Sequence, residues 1–242
     1  MVNLIKSLRD TIFSEEATEW LVELSEIGID SVLENEILKE IPILKSITTL
    51  YHVVDRIKEK RLLKHTMAFV DSFNKGNLTK EEKDLYQKRL EKENSYLEDE
   101  LERILFLLEE NSEVIQSRIL AKMYLAYIKG KLKWDKFCEL SEANRRMFIT
   151  DIRIMRIFER KEQYYQFRND EKHQLVRLTG LGMLAEKESP AARDYNEIGN
   201  VELKYMRKVK DKQGFYYEED YDDRLKYEVT NFGDLYLSFI EE

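Results

Sequence analysis

Apolar residues recur at intervals of three and four over long stretches of this chain, and this spacing is what most constrains its fold. In EIPILKSITTLYHVVDRIKEKRLLKHTMAFVDSF, the apolar positions fall on one side of a helix with about 3.6 residues per turn. The same spacing returns in residues 95–110, 113–129 and 144–166. Only eight glycines and two prolines interrupt the 242 residues. The pattern predicts a bundle of amphipathic helices over residues 1–165.

The composition changes near residue 165, where glycine, tyrosine, aspartate and alternating apolar and polar residues become frequent. The polar stretch KEQYYQFRNDEK at 161–172 separates the two patterns and predicts a domain boundary. Alternation with a period of two is typical of strands. We therefore predict a mainly α protein, in which the helical bundle is followed by a small α+β module with a long β-hairpin at 168–242.

The order of elements in this module follows from its sequence. We expect a helix over 170–179 whose inward side carries Leu175, Val176 and Leu178. A first strand begins at Met183. The remaining elements are the two ribbon arms at 200–210 and 214–230 and a last helix that begins at Thr230 or Asn231.

The stretches LTGLGML and YEVTNFGDLYLSFI, with a hairpin between them, carry a further pattern. This pattern resembles the closing half of winged helix-turn-helix domains, with a Gly-Leu turn, a wing and a Thr-x-x-Gly helix start. The resemblance covers residues 168–242. It implies that the 170–179 helix enters a DNA major groove with Lys172, Gln174 and Arg177 outward. It also implies phosphate contacts from Arg168, Lys204, Arg207, Lys208 and Lys210.

Two features depart from that family. The interval between the first and last strands is far longer than a usual wing, and acidic residues at 218–223 offset the cations of the ribbon. The whole chain has 40 Lys and Arg against 48 Asp and Glu, a formal net charge of −8, so no overall field draws it to a polyanion. We therefore expect a module for protein contacts, with DNA binding as the alternative.

A cluster of cations follows the apolar helix at 41–57. We call Arg56, Lys58, Lys60, Arg61 and Lys64 the basic collar; only Asp55 and Glu59 oppose it. An apolar helix beside cations is typical of a helix on an anionic lipid surface, and equally of a core helix with a solvated end. The candidate residues for membrane or partner contact are Ile43, Ile47, Leu50, Val54, Arg56, Lys58, Lys60 and Arg61.

A second resemblance covers residues 35–155. The stretch that begins EIPILKSITTLYHVV, together with LAKMYLAYIKGKLKWDKFCEL, is similar to a block of uncharacterised bacterial helical proteins. The shared pattern is an Ile-Pro start, a Lys-rich collar, a long helix and Ala-Tyr-Ile-x-Gly before an aromatic-acid helix start. The resemblance carries over no catalytic residue. It implies an accessory role, such as phage defence.

The residues that most often perform chemistry are scarce. His52, His65 and His173 do not pair at metal-binding spacing, and Cys138 has no second cysteine with which to complete a site or a disulfide. We predict that Cys138 is a buried structural thiol. The sequence contains neither a Gly-rich phosphate loop nor a nucleophile elbow. It predicts a protein without a cofactor or a catalytic constellation.

One acidic pattern nevertheless suggests an alternative. Asp194 lies upstream of Glu202 and Lys204 on an alternating strand, as in nucleases that hold Mg²⁺ on paired carboxylates beside a lysine. Glu-x-Lys is also ordinary on any solvated strand face. We therefore rank a Mg²⁺-dependent nuclease well below a non-enzymatic function.

The sequence also indicates where in the cell the protein is located. MVNLIKSLRDTIF becomes polar too early for a signal peptide, and no apolar stretch reaches the ~18 residues of a membrane span. We expect a cytoplasmic, non-enzymatic bacterial sensor, adaptor or effector. It would act through contact with a protein partner or through self-association, with DNA and a membrane surface as alternative partners.

Overall fold

The structure is a computed structural model, and it is mainly helical with small antiparallel strand pairs. The chain divides into two compact units, Met1–Ile149 and Thr150–Glu241. The predicted boundary at 165–168 lies outside the described residues. These are 2–14, 41–51, 56–93, 97–160, 172–187, 206–211, 214–219 and 226–240.

The described part of the first unit is built from helices. Pro42 begins the helix Pro42–Tyr51, as expected for a residue whose missing amide hydrogen costs nothing in a first turn. Gly130 follows the helix Val114–Ile128 with a left-handed φ of 71°, a conformation that glycine adopts readily at the end of a helix. The helices are α1 (Val2–Phe13), α2 (Pro42–Tyr51), α3 (Arg56–Lys75), α4 (Lys80–Glu93), α5 (Leu97–Glu110), α6 (Val114–Ile128) and α7 (Trp134–Arg146).

The core of this unit lies between α3 and α6. Phe69 and Phe73 of α3 are buried against Tyr124 of α6, with ring centroids 6.4 and 5.9 Å from that of Tyr124. The helical spacing of the sequence had placed Phe73 on the inner face of α3. Burial of each aromatic side chain stabilises the unit by roughly 1.5–3 kcal/mol.

The end of α7 differs from the prediction. The sequence predicted a helix over 144–166, but α7 continues to Arg146 and α8 begins only at Ile149. Met147 between them is extended, with φ −82° and ψ 146°. Phe148, which we expected on the inner face, is 55% exposed because it lies in this break.

Gln116 of α6 holds the break in place. Its side-chain Nε2 donates to the carbonyls of Asn144 at 2.7 Å and Met147 at 2.8 Å. Asn144 Nδ2 returns a bond to the Gln116 carbonyl at 2.9 Å. Carbonyls at the end of α7 are therefore satisfied by a different helix, and the chain can leave α7 without burying unpaired groups.

The second unit combines helices with two antiparallel strand pairs. Strand β1 pairs with β4, placing Leu184 opposite Val229, and β2 pairs with β3, placing Asp211 opposite Gly214. The elements from Thr150 onward are the remainder of α8 (Ile149–Arg160), then α9 (Lys172–Gly180), β1 (Leu184–Lys187), β2 (Met206–Asp211), β3 (Gly214–Glu219), β4 (Lys226–Val229) and α10 (Asn231–Ile240).

The inward face of α9 is narrower than we predicted. Leu175 and Leu178 are buried, but Val176 is 59% exposed. The two leucines lie three residues apart and so share one side of the helix, whereas a residue one position beyond Leu175 is turned about 100° away from it. The prediction that Val176 faces inward was wrong.

The start of α10 follows the Thr-x-x-Gly pattern seen in the sequence. Thr230 Oγ1 accepts the Gly233 amide at 3.0 Å and donates to the Gly182 carbonyl at 2.5 Å. A β-carbon at Gly233 would lie 2.2 Å from the Met183 carbonyl oxygen. Thr230 therefore caps α10, and Gly233 permits the helix to lie close to the residue that precedes β1.

Candidate functional site

The basic collar occupies the first two turns of α3. Lys58, Lys60 and Arg61 are exposed, and Ile57, beside them in the sequence, is 81% exposed. Lys64 is half-buried, and Glu59, the acidic residue within the collar, is buried. The surface of these turns therefore presents an aliphatic side chain together with several cations. The side chain of Arg56 and the whole of Val54 lie outside the described residues.

The apolar residues before the collar belong to the core. Ile43 and Ile47 have no exposed surface, whereas Leu50 is half exposed. Two polar contacts fix this helix against α1: the Ile43 amide donates to Thr11 Oγ1 at 3.2 Å, and the hydroxyls of Ser7 and Ser46 are 2.7 Å apart. Of the predicted apolar contact residues, Ile43 and Ile47 are therefore unavailable to a partner unless α2 leaves α1.

A buried carboxylate that was not predicted from the sequence lies in the same unit. Glu100 of α5 accepts hydrogen bonds from the hydroxyls of Tyr86 and Tyr127, the latter at 2.5 Å. The Tyr124 hydroxyl lies 3.5 Å from Glu100 and 3.1 Å from the Tyr86 hydroxyl. All four side chains are buried. Glu100 occurs in LEDELER, which resembles an ordinary solvated helix start, and its tyrosine partners come from distant helices.

The physical effect of this cluster is to keep the tyrosines protonated. Burial raises the pKa of Tyr86, and the nearby Tyr124 and Glu100 raise it further. Burial likewise raises the pKa of Tyr124, with Glu100 as the next cause. The phenols therefore act as hydrogen-bond donors and not as bases. Buried groups in such an arrangement are satisfied by one another, which is the condition for placing a carboxylate inside a protein.

A cleft of about 480 Å³ lies beside Tyr86. Its described lining carries charges of both signs, from Arg9, Asp10 and Lys83, and aromatic surface from Phe13 and Tyr86, whose rings are stacked at 6.2 Å. Such a mixed lining does not select one kind of ligand. Within the described ranges, no group of three or more His, Cys, Asp or Glu is arranged to hold a metal ion.

His65 forms a second buried polar cluster. Its Nδ1 lies 2.8 Å from Ser117 Oγ, which accepts a bond from Asn111 Nδ2 at 3.1 Å. Burial, and then the charge of Arg61, lower the pKa of His65 to about 4, so the imidazole is neutral near pH 7. A Ser-His contact is one element of nucleophilic catalysis. Here all three side chains are buried, which leaves a substrate no access to Ser117.

The thiol is less buried than predicted. Cys138 is half-buried, and burial raises the pKa of its thiol, so the neutral thiol is the stable form at neutral pH. His173 is exposed on α9. His52 lies outside the described residues.

The structure pairs the arginine of α9 with a carboxylate. Arg177 Nε and Nη2 donate to the two carboxylate oxygens of Asp151 at 2.8 Å each, and Asp151 has no exposed surface. This bidentate bond raises the pKa of Arg177. Arg177 is thus directed toward α8 and not outward, where a DNA contact would need it. Its neighbour Gln174 is half-buried, and only Lys172 is exposed as expected.

The other residues predicted to contact nucleic acid lie on or near the ribbon. Arg207, Lys208 and Lys210 belong to β2, where they stand opposite Glu218, Tyr217 and Phe215 of β3. The remaining predicted residues lie outside the described part of the chain; they are Arg168 and Lys204, with Asp194 and Glu202 of the nuclease pattern.

Fold and geometry define a mainly helical protein with a small α+β unit. No known protein family, curated protein or solved structure matches the chain. In the part of the chain that the structure describes, no helix has the length and apolarity needed to cross a membrane.

Proposed function

We propose that this protein is a non-enzymatic adaptor or effector that binds an acidic protein partner through the basic collar. The observation that carries the proposal is the exposure of Ile57, at 81%, among exposed Lys58, Lys60 and Arg61. An apolar anchor surrounded by cations complements a surface in which acidic residues surround an apolar recess. The chain as a whole has a net charge of −8, so the collar is a local cluster of cations; beside it, Lys58 and Arg61 line a small recess together with Glu109 and Glu110 of α5.

A protein partner suits the collar better than a lipid bilayer does. A helix in the membrane interface buries a continuous apolar face among the acyl chains. On α2 that face is directed inward, since Ile43 and Ile47 are buried and Ser46 contacts Ser7 of α1. Among the described residues of α2 and the collar, Leu50 and Ile57 are the exposed apolar side chains, and each is of a size that one protein side chain or recess can cover.

For the second unit, we propose a winged-helix-like module that serves protein contacts. Support comes from the order α9, β1, β2–β3 hairpin, β4 and α10, and from the Thr230 cap of α10. DNA binding is less well supported, because Arg177 is held by Asp151 and because Thr150–Glu241 contains 16 Lys and Arg against 19 Asp and Glu. The resemblance to uncharacterised bacterial helical proteins, with a cytoplasmic role in phage defence, is part of the same proposal.

The test compares proteins recovered with the wild-type chain and with a Lys58→Glu, Lys60→Glu, Arg61→Glu variant. The control is Leu85→Asp, which adds a negative charge at an apolar residue of α4 that is 66% exposed. We expect an acidic protein that is recovered with the wild type and the control but lost with the triple variant. The proposal fails if the triple variant recovers the same proteins.

Two parallel assays separate the alternatives. Sedimentation with phosphatidylserine–phosphatidylcholine vesicles tests a membrane surface, and fluorescence anisotropy with mixed-sequence duplex DNA tests a nucleic-acid function. We expect neither to show binding at moderate salt. Vesicle binding abolished by the triple variant would replace the protein partner by lipid. DNA binding abolished by Lys172→Glu would make the second unit a DNA reader.

A further inference from the structure

Most of the described side chains of α4 are exposed to solvent. Among its described side chains, Tyr86 alone is buried, and Leu85 beside it is 66% exposed. Elsewhere in the first unit, α3 and α6 bury most of one face each. Apolar burial is the main favourable term in the docking of a helix, and among the described side chains of α4 it comes chiefly from Tyr86, whose ring contacts those of Phe13 and Tyr127.

Polar contacts also attach α4 to α5 and α6. The Tyr86 hydroxyl donates to Glu100, and Arg89 lies over the ring of Tyr127 with its Cζ 4.3 Å from the centroid. Arg89 Nη2 also donates to the Tyr127 carbonyl at 2.9 Å. At the other end of the helix, Lys129 Nζ is 3.6 Å from Glu82 Oε2. None of these four contacts joins α3 to α6, so they can break while the aromatic contacts between those two helices remain.

Residues of α4 and of the position just before it also provide hydrogen bonds at the start of the helix. Glu82 Oε2 accepts the Thr79 amide at 3.0 Å, and Thr79 Oγ1 accepts the Glu82 amide at 3.2 Å. This capping box satisfies two amides that would otherwise need partners outside the helix. The first turn of α4 therefore does not depend on the rest of the unit for its hydrogen bonds.

Glu100 keeps hydrogen-bond donors from α6 if Tyr86 moves away. Glu100 Oε1 is bound by Tyr127 at 2.5 Å, and Tyr124 lies 3.5 Å from Oε2, the oxygen that Tyr86 also contacts. Both remaining tyrosines belong to α6, which packs on α3 in the core. Departure of α4 would thus expose a carboxylate that Tyr127 still holds in position, together with the oxygen that Tyr86 had contacted.

From this geometry we infer that α4 is a releasable strap, and that Glu100, Tyr124 and Tyr127 form beneath it a binding site for a phenolic hydroxyl. In the described state Tyr86 occupies that site. A partner that presents a tyrosine would compete with Tyr86 and hold the strap open. None of these residues belongs to the basic collar, so the site beneath α4 does not depend on the proposed function.

Peptide-resolved hydrogen–deuterium exchange on the full chain tests the strap. We expect α4 amides in the wild type to exchange faster than those of α3 and α6. Tyr86→Phe should accelerate α4 exchange roughly 10- to 100-fold, because a hydrogen bond to a charged group is lost, and should leave α3 and α6 nearly unchanged. The matched control, Leu85→Ala, alters an exposed neighbour and should have little effect on any helix.

Two exchange results would overturn the strap. One is that α4 exchanges in step with α3 and α6 in the wild type, which means that it opens only on global unfolding. The other is that Tyr86→Phe accelerates all three helices equally. Arg89→Met provides a second variant that weakens docking from a different contact; it should accelerate α4 exchange selectively as well.

The binding site is tested in Tyr86→Ala with p-cresol, which reproduces the tyrosine side chain, as the probe. p-Cresol should restore protection of α4 in this variant, whereas toluene, which has the same shape without the hydroxyl, should restore much less. Equal protection by both compounds, or by neither, would contradict a site that selects a phenolic hydroxyl. In the wild type, p-cresol should have little effect because Tyr86 already fills the site.

Discussion

Gln116 shows how much one buried amide can determine. Its Oε1 accepts the amides of Ser112 and Glu113, and its Nε2 donates to carbonyls at the end of α7. The same side chain therefore caps the start of one helix and the end of the next. No apolar residue of similar size could do both, since each contact requires a donor or acceptor of the correct kind.

Replacing Gln116 by glutamate should destabilise the first unit strongly. The change is nearly isosteric but substitutes an oxygen for Nε2, so the Asn144 and Met147 carbonyls would face an acceptor. We expect a loss of about 3 kcal/mol in the free energy of unfolding, measured by urea titration. The reciprocal exchange at an exposed position, Glu102→Gln, should change it by less than about 0.5 kcal/mol. Equal effects at both positions would show that the Gln116 network contributes little.

His65 should give the protein a distinct pH dependence. Its pKa is about 4 in the folded state against an ordinary value of 6.5, so the unfolded chain takes up the proton first. The stabilisation that comes from keeping the histidine neutral is fully present above pH 6.5 and is lost as the pH falls from 6.5 through 4. Unfolding at a series of pH values should show the free energy decline across this window.

Substitution separates this effect from other titrations. His65→Gln should flatten the decline between pH 6.5 and 4, although it lowers stability at neutral pH by disturbing the contact with Ser117. His173→Gln, which replaces an exposed histidine of α9, should leave the decline intact. The explanation is wrong if His173→Gln flattens the curve and His65→Gln does not.

At the scale of the element, the corner between β1 and α10 depends on a glycine that the sequence already marked. Gly233→Ala would place a methyl group against the Met183 carbonyl, at 2.2 Å in the present backbone. We expect a loss of about 1–3 kcal/mol, seen as faster amide exchange in α10 and β1. Gly180→Ala is the control, because nothing lies within 4 Å of the added carbon. If both alanines are tolerated, α10 does not require the close approach.

Elements with strong local signals were predictable from the sequence. The helices predicted at 95–110 and 113–129 correspond to α5 and α6, and the last helix, predicted to begin at Thr230 or Asn231, is capped by Thr230. The capping box of Thr79 and Glu82 is a further local feature. Each of these features is set by residues a few positions apart. Local rules of capping and periodicity are sufficient in such cases.

The features that sequence analysis missed depend on residues far apart in the chain. Helix α7 ends where it does because Gln116 of α6 binds its last carbonyls, and no pattern near residue 147 reveals that partner. Likewise Glu100 becomes a buried carboxylate only through tyrosines of α4 and α6. The candidate site was predictable only in part: the cations of the collar are evident in the sequence, whereas the burial of Ile43 and Ile47 beside it required the structure.

For the whole molecule, the division of the chain after Ile149 predicts that the first unit folds without the second. A fragment of residues 1–149 retains the α7 end and the Met147 carbonyl that Gln116 binds, so it should fold by itself with a cooperative thermal transition. A fragment of residues 1–140 lacks Asn144 and Met147 and should be markedly less stable. Circular dichroism of both fragments tests this. Equal melting of the two would mean that the first unit is organised without its last helical turns.

The proposed contact at the basic collar can be measured most directly at Ile57. We would incorporate the photo-crosslinker p-benzoylphenylalanine at position 57, with position 85 as the exposed control, and irradiate the full chain in cell extract. We expect a crosslink from position 57 to an acidic protein, absent from position 85 and lost with Lys58→Glu, Lys60→Glu and Arg61→Glu. Identical crosslinks from both positions, or one that survives the charge reversal, would contradict the proposed contact.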